Sequence, residues 1–362
     1  MEYLCMNIGV LTGESYQAEK PARRLTPERA ARYMDQLLSG LDRLHHAGII
    51  HRDIKPYNIL LTDDDRVKII DMGLSRLRGE VRELPESFKV GTPFYAAPEQ
   101  EAKPDQADER ADLYSAGIML WRMLTGELPP EFEAPRPPSE LNPFLGLHWD
   151  DLLLKAIRRE RELRFQSCRE MRQAVADAYE HWRDTMEREC SRRPEPAAEK
   201  QAGEGHSLRA RPLKVSRADA PAVFDTDPLN QPAGAFPAGR FVQKGGTLED
   251  GAHRLVWQQD GSPYPLSWEE ARDYIERMNR MMSAGRADWR LPTVDELLSI
   301  LQPRTVMGDY CQGALFDETR TPLWSADTKS FTAAWMVETE TGFAESMDKT
   351  CRFYVRAVAS VS

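Results

Sequence analysis

Thirty consecutive residues, SRRPEPAAEKQAGEGHSLRARPLKVSRADA from Ser191 to Ala220, contain only three large aliphatic side chains, Leu208, Leu213 and Val215. A segment made of Pro, Gly, Ala and charges of both signs buries too little apolar surface to offset the entropy lost on ordering it. One continuous core running through the chain is therefore excluded. The run PLNQPAGAFPAG, ending at Gly239, has the same character. The expected organisation is two globular parts, residues 1–188 and 239–362, joined by a flexible linker over 189–238. Their cores differ, because five of the eight tryptophans (Trp257, Trp268, Trp289, Trp324 and Trp335) follow the linker.

Composition narrows the classes of function. A hydrophobic share of 41% with 29% charged residues is ordinary for a globular protein. The net charge of −10 argues against a general grip on nucleic acid or anionic lipid. No apolar run approaches the roughly 20 residues that cross a bilayer; the best, LYSAGIML from Leu113 to Leu120, suits a core helix. The start MEYLCMNIGV lacks the pattern of a secretion signal. The five cysteines, Cys5, Cys168, Cys190, Cys311 and Cys351, are scattered and odd in number, which fits a reducing compartment better than a disulfide framework. Cys311 and Cys351 could pair only in an oxidising environment. No metal-ligand spacing occurs. The expectation is a cytoplasmic, multidomain protein with no membrane span and no nucleic-acid partner.

The first part reads as mainly helical. TPERAARYMDQLLSGLDRLHHAG places Ala30, Met34, Leu37, Leu38, Leu41 and Leu44 on one helical face, with Thr26 as cap, Pro27 at the first position and Gly48 as stop. Two strands, NILLT and VKIID, follow around the acidic turn DDDR. RADLYSAGIMLWRMLTG reads as a buried helix ended by Gly126. A proline-rich passage then leads to helices around WDDLLLKAIRRE and SCREMRQAVADAYEHW.

Phosphoryl transfer asks a protein mainly to position groups and neutralise charge: one carboxylate for the attacking hydroxyl, and hard oxygen ligands for Mg²⁺. His51-Arg52-Asp53 followed by Asn58 matches H-R-D-x-x-x-x-N. Asp71-Met72-Gly73 stands where D-F-G belongs, GTPFYAAPE ends at Glu99, and Asp112 and Arg164 follow in ADLYSAG and RELRFQS. Five ordered motifs over about 120 residues are a specific signal. On these residues the chain resembles a bacterial protein kinase of the eukaryotic Ser/Thr type over residues 1–188, from the hinge to the end of the C-lobe. The resemblance implies ATP and Mg²⁺ as cofactors and a protein substrate. It implies Asp53 as catalytic base, Asn58 and Asp71 as Mg²⁺ ligands, and Lys55 beside the transferred phosphate. It also implies that Thr92 supports Asp53 and Lys55, that Glu99 and Arg164 form a buried ion pair, and that Asp112 braces the catalytic-loop backbone. His51 is expected as a packed core residue, and Met72 as a filler of the gap that Phe usually occupies. Ser75, Ser87 and Thr92 are candidate phosphorylation sites, with Ser87 favoured because Arg52 could receive its phosphate.

By the same resemblance MEYL is the hinge, and backbone groups near Glu2 and Leu4 would hold adenine. By this resemblance no G-x-G-x-x-G loop covers the phosphates, no strand lysine pairs with them, no helix glutamate positions that lysine and no Walker-type loop replaces them in the 362 residues, so the N-lobe is expected to be absent. A start at an internal Met of a longer frame, a truncated gene, and a half-lobe working as a scaffold or completed by another chain are all compatible with this.

The tryptophan-rich part reads as α+β. Ser267 with Glu270, and Thr293 with Glu296, form capping boxes for two helices among the strand-like runs RLVWQQ, PLWSADT, AAWMVET and FYVRAVA. LVWQ, SWEEA, DWRLPTVDEL, LWS and YVRAV are similar to landmarks of the Lcl C-terminal domain, a family related to the C-type-lectin-like and formylglycine-generating-enzyme folds. That implies an α+β lectin-like domain over 239–362 with a protein or glycan ligand. The combined expectation is a Ser/Thr kinase C-lobe fused to a recognition or targeting domain. The alternative is a catalytically inactive, pseudokinase-like scaffold.

Overall fold

The computed structural model of the chain describes residues 6–14, 21–62, 64–77, 92–130, 134–190, 208–233, 241–303, 310–312, 315–317 and 319–361. They fall into two compact units, one over Met6–Glu195 and one from Pro196 onward. Glu2, Leu4 and Ser87 lie outside the described residues. Among the described residues no helix is long and apolar enough to cross a membrane.

In the first unit, β1 (Met6–Asn7) leads into α1 (Ile8–Thr12), and α2 (Pro27–His46) begins at Thr26, whose Oγ1 accepts from Arg29 N at 3.2 Å. The predicted apolar face is buried from Ala30 to Leu41, and Gly48 takes the left-handed φ of 76° that turns the chain out of the helix. β2 (Ile49–Ile50) pairs with β5 (Arg76–Leu77). β3 (Ile59–Leu61) and β4 (Val67–Ile69) pair antiparallel as predicted, with Ile59 opposite Ile69, and β1 adds to the free edge of β3. The helices α3 (Pro98–Ala102), α4 (Arg110–Thr125), α5 (Pro138–Leu141), α6 (Leu147–Ala156) and α7 (Cys168–Cys190) follow. α4 is apolar on nearly every side and is correspondingly buried, with α2 and α6 packed against it. A Cβ at Gly117 would stand 2.6 Å from the Cβ of Ala156, so this close approach of α4 to α6 depends on glycine.

The second unit contains α8 (Ala220–Val223), then β6 (Phe241–Lys244), β7 (Thr247–Asp250) and β8 (Leu255–Gln258). These strands form an antiparallel sheet in the order β14-β8-β7-β6, completed by β14 (Val358–Ser360). Both predicted capping boxes are present, on α9 (Trp268–Arg280) and α10 (Val294–Ser299). The short pair β9 (Leu301–Pro303) and β10 (Tyr310–Gln312) precedes a meander of β11 (Leu323–Thr328), β12 (Ala333–Glu338) and β13 (Phe343–Asp348). Trp257, Trp324 and Trp335 are fully buried in this unit.

Two expectations are corrected here. The linker does not extend to residue 238, because residues 208–233 are a strap that belongs to the second unit. Val215 N donates to Thr328 O at 2.8 Å, Thr328 N donates to Leu213 O at 2.9 Å, and Trp335 Nε1 donates to Val215 O at 3.1 Å. Val215, Ala220 and Phe224 are part of the core, and Phe224 meets the Trp335 ring edge-on at 5.1 Å. Even the PLNQ stretch is held, since Ala344 N donates to Asn230 O and Gln231 Nε2 donates to Thr341 O. Few apolar residues suffice because polar anchors do the rest: Arg209 is bidentate to the fully buried carboxylate of Asp327. The second concerns the cysteines: Cys351 is disulfide-bonded, a possibility that the sequence left open only for an oxidising environment. A fragment starting at Leu208 is therefore expected to melt well above one starting at residue 239. Equal melting temperatures by circular dichroism would show that the strap contributes nothing.

Candidate active site

The segment between β2 and β3 carries His51 to Asn58, and here the structure gathers four of the singled-out side chains into one network. Asp53 is 6% exposed. Its Oδ1 accepts from Thr92 Oγ1 at 2.8 Å, and its Oδ2 accepts from Asn58 Nδ2 at 2.9 Å. Lys55 Nζ lies 2.9 Å from Asp53 Oδ2 and donates to Thr92 Oγ1 at 2.8 Å. Asn58 Nδ2 also donates to the Asp53 carbonyl at 2.8 Å. The carboxylate is thus fixed in rotamer by donors from both sides.

The backbone of this loop is held from beneath. Asp112, in the first turn of α4 and fully buried, accepts from His51 N at 2.9 Å and Arg52 N at 2.8 Å. Arg52 has φ of 65°, a left-handed conformation that costs a non-glycine residue about 1–3 kcal/mol unless the surroundings fix it. They do: Gln100 Nε2 donates to Arg52 O at 2.7 Å and Arg52 Nε donates to Leu74 O at 2.9 Å. Gln100 escaped the sequence reading, although it directly follows Glu99 in the APEQ run. His51 is fully buried, as expected, and its Nε2 lies 3.1 Å from Ile70 O, tying the loop to the end of β4. Glu99 and Arg164 do pair, through two 2.7 Å bonds. Arg164 also donates to the carbonyls of Arg158 and Arg159 and lies over the Tyr114 ring.

Asp71 is placed apart from that network. It is exposed, has φ of 65°, and accepts from its own Gly73 N at 3.1 Å. Met72 differs from expectation: it is 44% exposed and fills no buried gap. Ser75 Oγ donates to Met72 O at 2.6 Å. Among the described residues no three His, Cys, Asp or Glu side chains gather as a metal cage. Mg²⁺ needs none, because it keeps several waters and binds one or two hard protein oxygens. Asn58 uses its nitrogen on Asp53, which leaves Oδ1 as an acceptor, and Gly73 N engages only Oδ1 of Asp71. These are hard oxygens of the kind that Mg²⁺ binds.

Comparison with known proteins follows the division into units. Residues 2–141 match the protein kinase domain family, and residues 246–359 match the Lcl C-terminal domain family. A probable serine/threonine-protein kinase of Streptomyces coelicolor is 38% identical over 164 residues, covering 41% of this chain and 24% of that protein. One of Clostridium acetobutylicum is 35% identical over 151 residues, covering 38% and 23%. The serine/threonine-protein kinase PknB of Mycobacterium tuberculosis is 35% identical over 188 residues, covering 48% and 29%. The chain thus spans about a quarter of the length of the curated relatives it matches. It carries a protein kinase domain match and a separate C-terminal domain built on sheets.

Proposed function

We propose that the first unit is the C-lobe of a Ser/Thr protein kinase that transfers the γ-phosphoryl group of ATP to protein hydroxyls. The second unit, in this reading, is a lectin-like recognition or targeting domain for a protein or glycan ligand. The observation that carries the kinase reading is the Asp53 carboxylate, nearly buried and clamped by Thr92, Asn58 and Lys55. A carboxylate so held can take the proton of an incoming Ser or Thr hydroxyl without reorganising. Lys55, 2.9 Å from it, brings a positive charge to where the transferred phosphate would pass. Asn58 and Asp71 would hold Mg²⁺, which when bound neutralises charge on the ATP phosphates. Adenine would lie against the backbone near Glu2 and Leu4. Dependence on ATP, made inside cells, supports a cytoplasmic kinase unit.

One observation favours the second reading, a scaffold without catalysis: Asp71 is exposed and accepts from Gly73 N, outside the hydrogen-bond network around Asp53. Nucleotide binding separates the two. A chimera carrying the glycine-loop half of a relative's kinase domain ahead of Met6 should bind ATP in a Mg²⁺-dependent manner by calorimetry. A folded chimera that binds no nucleotide would favour the scaffold.

A further inference from the structure

Asp112 holds the loop backbone, and something must in turn hold Asp112. Its Oδ2, besides accepting from His51 N, lies 2.8 Å from Nε2 of His45, in the last turn of α2. The other ring nitrogen of His45, Nδ1, lies 3.4 Å from Sγ of Cys168, the first residue of α7. A neutral imidazole has one N–H, and its position is set by the partners of the two nitrogens. A carboxylate can only accept, so the proton belongs on Nε2, and Nδ1 is left as an acceptor facing a thiol.

We propose that Cys168 is a positioning residue: its S–H donates to His45 Nδ1, fixes the Nε2–H tautomer, and so keeps His45 donating to Asp112 beneath the His51–Asp53 backbone. The relay joins the end of α2, the start of α4 and the start of α7 at one point. Cys168 is buried, and desolvation, then the nearby carboxylates of Asp42 and Asp112, push its thiol up to about 12. At neutral pH it therefore keeps the proton the relay needs, and it is not a nucleophile. A thiol is a weak donor, and its part here is to choose between two tautomers rather than to add much stability. The consequence for catalysis rests on the phosphoryl-transfer reading above; the hydrogen-bond relay does not.

The test is nitrogen-15 NMR of the histidine rings in the 362-residue chain, with His45→Gln to assign the signal. The wild type should show His45 as the Nε2–H tautomer. Cys168→Ser, which keeps a donor, should preserve it. Cys168→Ala should mix the tautomers, and hydrogen exchange at the His51 and Arg52 amides should quicken about fivefold, as expected for one weakened hydrogen bond. In the active chimera, Cys168→Ala should lower kcat by a similar factor with KM for ATP unchanged, and Cys168→Ser should restore it. An Nδ1–H tautomer in the wild type, or unchanged tautomer and exchange in a folded Cys168→Ala, overturns the proposal. A chimera without phosphoryl transfer but with the expected tautomers would count against the kinase reading alone.

Discussion

Asp53→Asn is expected to lower phosphoryl transfer about 10²–10⁴-fold, the usual effect of losing a general base, in a chimera whose phosphate-binding half comes from a relative's kinase domain. The substitution keeps the size of the side chain. It removes the acceptor for the hydroxyl proton and places an amide where Thr92 Oγ1, Asn58 Nδ2 and Lys55 Nζ all supply positive hydrogen. ATP affinity should change little, since no feature of Asp53 is assigned to nucleotide binding, so the loss should appear in kcat. The 362-residue chain by itself should transfer no measurable phosphate. Positioning and electrostatic stabilisation supply nearly all of this chemistry, and these residues contain no loop to enclose the phosphates. Radiolabelled ATP with a generic protein substrate decides both points. Asp53-independent transfer by the chimera would remove the assigned base, and Asp53-dependent transfer by the short chain would show that the enclosing loop is dispensable.

The largest expected effect on stability lies in the other unit. Asp327 is fully buried and accepts from Arg209 Nη1 and Nη2, Leu213 N at 2.7 Å and Val294 N at 2.8 Å. It therefore closes the strap and satisfies an otherwise orphaned amide at the start of α10. Asp327→Ala leaves the Leu213 and Val294 amides without this acceptor and Arg209 with Asp295 as its remaining carboxylate partner. The expected cost is about 3–5 kcal/mol, typical of breaking a buried ion pair from one side. Glu249→Ala, which removes the exposed partner of Lys244, should cost under about 1 kcal/mol. Denaturant titration of both variants, followed by tryptophan fluorescence, gives the comparison. Equal small shifts would show that the Asp327 node is not a keystone of the unit.

Local chemistry was the part of this protein that sequence made legible. Thr26, Ser267 and Thr293 announce their helices because a cap and its amide lie within three residues of one another. Asp53, Asn58, Thr92, Glu99, Asp112 and Arg164 were legible through the order of their motifs, and their geometry followed. Gln100, His45 and Cys168 were not, because their roles exist only once α2, α3, α4 and α7 are packed around one loop. Met72 was misjudged for the same reason: whether a gap exists for it depends on its surroundings rather than its own chemistry. The strap failed most clearly. Composition measures what a segment can bury with itself, whereas Val215 and Phe224 bury themselves against Trp335, more than 100 residues away.

That separation bears on how the second unit is made. Arg209 and Asp327 are 118 positions apart, and Val215 and Trp335 are 120 apart. At ribosomal rates of about 5–20 residues per second, the strap emerges roughly 6–24 s before the strand it will clasp. Through that interval Val215 and Phe224 wait for Trp335. The scarcity of apolar residues that made the strap look like a linker also leaves the nascent segment little with which to aggregate while it waits.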